Sequence, residues 1–392
     1  MKKAKILLCV CGGIAAYKAI DLASMLYKQG FEIRTVLTES ACKFVSPLNF
    51  AAITHHDTHS SLWDDNDPIP HIYLADWADL VVVAPATANT IAKAAHGIAD
   101  NLLSSLLLAH SKPVLWVPAM NVHMYENQAT IDNIKVLQKR GHHILDPAFG
   151  LLACAYTGKG KYPPNIEIVY AIRSYLEYGQ DLRGFKVLLT AGATIEAIDP
   201  MRVISNKSSG KMSLALARAL FLRGAEVILI YGSISEALPY YLSEAIQTLS
   251  VNQMHETVLS HAMDCNWIIK CAAVSDYKPA AYSESKIKKG EDLHLDLIQT
   301  KDILTDLGQM KQENQLLIGF AAETDNMENN AKEKLAKKNL DLIIANDLKY
   351  AGSDDNEITM IDRELNMTHA QGDKFELAHR VIDRIKDLCV QS

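Results

Sequence analysis

Residues 195–213, IEAIDPMRVISNKSSGKMS, bring together groups that can hold a phosphate: the hydroxyls of Ser208 and Ser209, the backbone of Gly210 and the ammonium of Lys211. They fall where the apolar spacing opens a helix. Free N–H groups at a helix start, with the positive end of the helix dipole, favour an anion. The segment follows an apolar run at 186–190 and the turn Ala191-Gly192-Ala193. It is not the common phosphate loop, GxxxxGK[ST], because this chain has Ser205 and Met212 where that pattern needs Gly and Ser or Thr.

Four further groups lie in the first half, each after an apolar run: Gly12-Gly13-Ile14, Thr38-Glu39-Ser40, Pro85 through Thr90 as PATANT, and Pro118-Ala119-Met120-Asn121. Small, hydroxyl and amide residues at strand-to-helix turns can hold a phosphate and hydrogen-bond a polar ring. His71 and Cys154 add an imidazole and a thiol, the latter in a Gly-rich stretch with Gly150, Gly158 and Gly160 that suggests a mobile flap. Singly, each has a plainer reading. A Gly pair is more often a simple turn, His71 has His55, His56 and His59 nearby, and a lone thiol is most often a small buried hydrophobe. Four coinciding strand ends carry more weight.

The second half adds Ala272 through Tyr277 (AAVSDY), Lys286-Ile287-Lys288-Lys289, Gly319 through Thr324 (GFAAET), and a stretch with Lys332, Lys334, Lys337 and Lys338. Lys334 and Lys338 are four apart and share a helical face. A solvated charged face is the ordinary reading of such a run. Beside a strand-end Phe and Asp, the same cations suit a triphosphate, with the ring flanking a base.

The elements that must position these groups alternate. In the first half, strands are expected at 5–10, 32–37, 80–84, 114–117 and 143–145, and helices at 15–29, 89–95, 100–109 and 131–140. In the second, strands are expected at 186–190, 226–231, 267–271, 316–320 and 342–345, and helices at 210–223, 253–263, 327–338 and 374–389. Continuous apolar strands between helices indicate parallel sheets covered on both faces. The expected fold class is α/β, two tandem Rossmann-like domains, with the boundary near 178–184 giving domains 1–180 and 181–392. Gly224 is placed to end its helix in a left-handed conformation.

At 392 residues the chain can build two cores. A net charge of -7 argues against broad nucleic-acid binding while leaving room for local basic pockets. Seven scattered cysteines without CxxC spacing argue for reduced thiols in a cytoplasmic protein, not a disulfide framework or a zinc site. The apolar run near the N-terminus is broken by Gly12-Gly13 and followed by Lys18 and Asp21, so it reads as strand, turn and helix rather than a signal peptide, and no run is long enough for a membrane span.

The motifs CGGIAAYK, HIYLADWAD, APATANTIAKAAHGIADNLL, PAMNVHMY and LLACAYTGKGK occur in the order found in flavin-dependent cysteine decarboxylases, which the first half resembles. The resemblance implies FMN bound by Gly12, Gly13, Ile14, Thr38, Thr87, Ala88, Asn89, Thr90 and Ala119. It casts His71 as catalytic base, Asn121 as the holder of the substrate carboxylate and Cys154 as proton donor. The chemistry suits these types: an unactivated cysteinyl carboxylate lacks an electron sink, and oxidation of its thiol to a thioaldehyde supplies one. Imidazole and thiol are fitted to move protons near neutral pH. One departure stands out. The family usually has Gly after this Cys, and here it is Ala155, which a left-handed backbone would strain.

The second half resembles the phosphopantothenate–cysteine ligase domain, and the whole chain resembles the bacterial bifunctional family of coenzyme A synthesis. That implies CTP, with carboxylate attack on the α-phosphate to give an acyl-cytidylate and pyrophosphate, then displacement of CMP by the cysteine amine. Mg2+ would bridge phosphate oxygens, its protein ligands unassigned. Carried over by motif, Asp276, Lys286, Phe320, Lys334 and Lys338 contact CTP; Lys270, Cys271 and Ala272, with Asp302, Ile303, Leu304 and Thr305, line it. Asn206 handles the acyl-cytidylate, and Lys289 is a second catalytic candidate beside Lys286. Whether Ser208 through Lys211 hold the nucleotide's phosphate or the pantothenate's stays open. The implied partners are 4′-phosphopantothenate, cysteine and CTP, with no nucleic acid and no membrane, in a homo-oligomer of trimeric N-terminal and dimeric C-terminal domains, up to a dodecamer.

Two rivals are weighed. A flavin-binding regulatory or scaffold protein would have kept the fold and lost the chemistry, which the presence of His71, Asn121 and Cys154 opposes. A flavin prenyltransferase-like first half is opposed by the Cys154 segment and the second half.

Overall fold

The computed structural model describes residues 3–63, 69–242, 244–288, 293–323, 327–347 and 355–391. Contacts divide the chain into two units, 1–179 and 180–392.

In the first unit, Val/Ile/Leu-rich runs too apolar for a half-exposed strand become the inner strands of a parallel sheet. Lys5–Val10 lies between Glu32–Leu37 and Leu80–Ala86, and Val114–Pro118 pairs beyond the latter. Thr58–His59 and His143–Ile144 are short edges. In chain order the sheet runs third, second, first, fourth, fifth, sixth. Helices such as Ala16–Lys28 and Ala88–His96 turn their apolar stripes onto it. The order reverses between the first and fourth strands, so the loops after Val10 and Ala86 diverge and leave a crevice at the strands' carboxyl ends.

Helices Pro47–Thr54, Pro70–Trp77 and Val122–Glu126 were not expected; two open on Pro at the first helical position, where the missing N–H costs nothing. The Gly-rich stretch forms an antiparallel hairpin of Ala148–Leu151 and Thr157–Lys161.

The second unit repeats the order. Lys186–Ala191 lies between Glu226–Tyr231 and Trp267–Lys270, followed outward by Leu316–Glu323 and Leu342–Asp347. Two antiparallel strands, Asp355–Asp362 and Met367–Asp373, then extend the sheet to eight. These two strands were missed: the second is polar (MTHAQGD) and lacks the apolar signal of a buried strand. Beyond residue 194 the chain forms a ribbon, Ile195–Ala197 with Val203–Ser205. A similar ribbon joins Tyr277–Pro279 to Leu297–Gln299. Gly224 follows its helix at φ +94°, the left-handed stop its position calls for. No helix among the described residues is long and apolar enough to cross a membrane.

Candidate functional site

The crevice of the first unit is a cavity of about 480 Å3. Gly12, Gly13 and Ile14 reach it from the end of the first strand, Thr87 and Ala88 from the fourth, and Ala119 and Asn121 from the fifth. A side chain at Gly12 would overlap Ser40, its Cβ lying 2.4 Å from the Ser40 Cβ, so the chain can pass there only as glycine. Thr87 caps the helix Ala88–His96, accepting from the Thr90 N–H at 3.4 Å. The volume is within the range of small-molecule pockets, about 300–1,000 Å3. The cradle fits a flavin: a Cβ at Gly13 would meet nothing nearer than Thr87 Cγ2 at 3.9 Å, so backbone can approach a planar ring closely.

The hairpin closes one side of this cavity. Met120 N–H donates to the Gly160 carbonyl at 3.0 Å. A Cβ at Gly160 would sit 2.3 Å from the Met120 carbonyl oxygen, and one at Gly158 2.5 Å from Val122 Cγ2. The glycines therefore let the hairpin lie against the loop that carries Asn121. Asn121 caps the helix Val122–Glu126, its Oδ1 accepting from the His123 N–H at 2.8 Å, which fixes the amide. Its Nδ2 then donates to Cys154 Sγ at 3.0 Å. The Tyr156 N–H, and after it this amide, hold the exposed Cys154 thiol below its ordinary pKa. Ala155, at the hairpin tip, has φ +63°, the left-handed backbone that its Cβ resists.

Other expected residues sit elsewhere. Thr38 lines a neighbouring hollow of about 420 Å3 with Glu39, Trp63 and Asn101. Asn89 is exposed, and Thr90 is buried, accepting from the Cys11 thiol at 3.2 Å. His71 is the second residue of Pro70–Trp77 and does not line the cavity; its Nδ1 is buried without a hydrogen-bond partner among the described residues. Lys18 and Lys161 line the cavity and were not singled out from sequence. Burial, and then repulsion from Lys161, lower the Lys18 pKa, so the pair places concentrated positive charge beside the crevice. Their signal lay inside the quoted motifs, as the lysines of AAYK and GKGK.

In the second unit the loops after Ala191 and Lys270, the two central strands, are stitched together. Thr190 Oγ1 accepts from the N–H groups of Cys271 and Ala272, each at 3.1 Å, and Thr194 Oγ1 from that of Ser275 at 2.9 Å. Asn206 Nδ2 donates to the Val274 carbonyl at 3.1 Å. Gly192 and Gly210, at φ +76° and +77°, let backbones close here; a Cβ at Gly192 would lie 2.4 Å from the Ser233 carbonyl oxygen. Gly210 stands immediately before the helix Lys211–Leu222, whose first N–H, that of Lys211, donates to Ser209 Oγ at 3.4 Å. Ser208 is exposed, Ser209 half-buried, and the Lys211 ammonium is 3.9 Å from Glu236.

Lys270, Asp302 and Lys338 come together. Lys338 pairs with Asp302 at 2.9 Å, and Asp302 caps the helix Ile303–Met310 through the N–H groups of Leu304 and Thr305. Burial opposes the Asp302 charge, but Lys338 and the Thr305 N–H bring its pKa below the usual carboxylate value. Burial, with repulsion from Lys338, lowers Lys270 to about 8; its ammonium donates to the Ala272 carbonyl at 3.0 Å. Ile303, Leu304 and Ala272 are buried, so their backbone is what they can offer a ligand. Cys271 and Phe320 are half-buried, while Asp276 and Lys286 are exposed. Lys334 lies on Met327–Lys337, and Lys338 follows one residue beyond that helix. Lys289 lies outside the described residues. Among the described residues no three His, Cys, Asp or Glu side chains gather as metal ligands.

Residues 1–177 match the family model described as Flavoprotein, and residues 182–388 that of the DNA/pantothenate metabolism flavoprotein C-terminal domain. The chain is 45% identical over 390 residues to the coenzyme A biosynthesis bifunctional protein CoaBC of Bacillus subtilis (strain 168), covering 96% of each. It is 40% identical over 382 residues to the CoaBC protein of Haemophilus influenzae, covering 96% of this chain and 95% of that one. A solved C-terminal domain of a CoaBC protein is 37% identical, with 54% of this chain and all of that one covered, at a TM-score of 0.48. With both family models matched in this order and identity sustained along nearly the whole length, the chain belongs to the bifunctional coenzyme A biosynthesis family, CoaBC.

Proposed function

We propose that residues 181–392 join 4′-phosphopantothenate to cysteine at the expense of CTP, and that residues 1–180 decarboxylate the product to 4′-phosphopantetheine with FMN. The observation that carries the reading is the Asn121–Cys154 contact at the rim of the switch-point cavity. A neutral amide donor and an acidified thiol stand together where a small substrate would present its carboxylate and receive a proton.

In the decarboxylase, Gly12, Gly13, Ile14, Thr87, Ala88 and Ala119 would hold the flavin directly, with Thr38, Asn89 and Thr90 around that shell. Bound there, FMN supplies the two-electron redox chemistry that turns a cysteinyl carboxylate into a leaving group. Asn121 holds the carboxylate and Cys154 returns a proton at the end of the reaction, while His71, which stands outside the cavity of its own chain, would take the first proton only from a neighbouring copy in the proposed trimer. Lys18 and Lys161 attract a phosphorylated end, of cofactor or substrate.

In the ligase, Lys270, Lys286, Lys334 and Lys338 gather the triphosphate and offset the charge that builds on pyrophosphate. The backbones at Cys271, Ala272 and 302–305 line the nucleotide, with Asp276 and Phe320 on its sugar and base. Lys286 and Lys289 are the catalytic lysines, Asn206 handles the acyl-cytidylate, and Ser208 through Lys211 take a phosphate. Mg2+, if it accompanies the triphosphate, would supply further positive charge against the phosphates. The protein works in the cytoplasm as a homo-oligomer, trimeric through the first unit and dimeric through the second.

The test is an absorbance spectrum of the purified protein and a coupled assay with phosphopantothenate, cysteine and either CTP or ATP. The expected result is a yellow protein that releases pyrophosphate with CTP and then CO2. A colourless protein with no CO2 release sinks the first half of the reading, and no CTP-dependent pyrophosphate sinks the second.

A further inference from the structure

Two arms leave the carboxyl ends of the two central strands of the second unit. One, after Lys186–Ala191, runs through the ribbon of residues 195–205 to Asn206; the other, after Trp267–Lys270, carries Asp276 and then Lys286 and Lys288. Lys286 and Lys288 are exposed, so nothing in their own burial fixes where they stand. What fixes the segment is Asp199, whose side chain is fully buried at the ribbon's turn.

Asp199 Oδ1 accepts from the N–H groups of Met201 at 2.7 Å and Arg202 at 2.8 Å, which closes its own turn. Its Oδ2 accepts from Arg202 Nη1 at 2.6 Å and from the Ile287 N–H at 3.1 Å. The same Arg202 nitrogen donates to the Ile287 carbonyl at 3.1 Å. Both backbone groups of the residue between the two lysines are thus gripped by one ion pair on the other arm. A further backbone bond, Ser283 N–H to the Ile198 carbonyl at 3.0 Å, runs alongside.

We propose that Asp199 is a positioning residue for the ligation, fastening the arm that bears Lys286 to the arm that bears Asn206, so that the nucleotide and the acyl group are presented to each other in one geometry. The proposal rests on the reading of Lys286 as a CTP contact. A buried carboxylate facing two N–H groups of its own turn and one from a distant segment has a role that a turn alone does not require. Its charge holds there because burial, which opposes it, is outweighed by the N–H groups of Met201, Ile287 and Arg202 and by the Arg202 guanidinium.

Asp199→Asn separates the two tasks. An amide oxygen still accepts from Met201 and Arg202, whereas its NH2 group faces two donors and releases Ile287. The expected result, in the full-length enzyme, is a KM for CTP raised at least about tenfold, as misplacement of a contacting group produces. CO2 release from phosphopantothenoylcysteine stays unchanged, and trypsin cleaves faster after Lys286 or Lys288. The double variant Asp199→Asn/Lys286→Met loses little beyond Lys286→Met alone, because an unfastened Lys286 has little left to lose. Arg202→Lys, which keeps one donor for Asp199, gives an intermediate KM and serves if Asp199→Asn does not fold. An unchanged KM for CTP in a folded Asp199→Asn enzyme, or losses that multiply independently in the double variant, overturns the proposal. Should Lys286→Met itself leave the KM for CTP unchanged, the reading of Lys286 fails instead, and cleavage by trypsin still reports whether Asp199 fastens the segment.

Discussion

At the residue scale, Cys154 and Lys270 owe their properties to neighbours that sequence order does not place beside them. Asn121 reaches Cys154 from thirty-three positions away, and the Tyr156 N–H reaches it only once the hairpin tip has turned. Asn121→Ala therefore raises the thiol pKa back toward its ordinary value, since a donor that favours the thiolate is gone. The check is the pH dependence of alkylation by iodoacetamide, whose midpoint should move upward while Cys154→Ser abolishes this fast phase. Lys270 makes the opposite kind of statement. Its ammonium is intact below about 8 and is lost as pH rises through that value, so the KM for CTP should climb above pH 8. In Lys270→Arg, whose guanidinium keeps its proton, the climb should be absent. Both residues were legible as types: a thiol in a Gly-rich stretch, a lysine at a strand end. The shifts depend on burial and on partners brought in by the fold.

At the element scale, regular strands and helices were legible because their apolar periodicity is their reason for existing. The hairpin was not, although its glycines were noted, because its course is set by contact with Met120 and Val122 rather than by a pattern of its own. Its weak point is Ala155, where a left-handed backbone costs an L-residue with a Cβ about 1 kcal/mol or more. Ala155→Val, bulkier and β-branched, should lower the decarboxylation kcat several-fold and speed proteolysis of the hairpin, whereas Ala155→Gly should do neither. The helix Ile303–Met310 offers a second test. Asp302→Ala removes its cap, which is worth about 1 kcal/mol, and leaves Lys338 without its carboxylate. Its melting temperature should fall and its KM for CTP should rise together, while Asp302→Asn, which still caps, should shift only the KM.

At the scale of the whole molecule, two units each bury an extensive core of their own. Each needs only itself to satisfy its strands, so calorimetry of the full chain should resolve two transitions rather than one. Addition of FMN should raise one of them and CTP the other, because a ligand stabilises the body that binds it. A single transition moved equally by both ligands would mean that the units unfold together. The tandem of parallel sheets was visible in the alternation of apolar runs and helices. The outermost strand of the second sheet, Met367–Asp373, was not, since a strand at an edge needs polar residues that look like loop.

That outermost strand, Met367–Asp373, bears on how the protein survives at high concentration. An open row of backbone donors and acceptors is an invitation for a second chain to add itself and begin a fibril. The first sheet withholds the invitation by brevity, its flanks being the two-residue strands Thr58–His59 and His143–Ile144. The second ends instead in a longer strand written in His, Gln, Gly and Asp, which would have to be stripped of water before any neighbour could pair with it. The polarity that hid this strand from a reading of the sequence is thus what protects the molecule from its own kind.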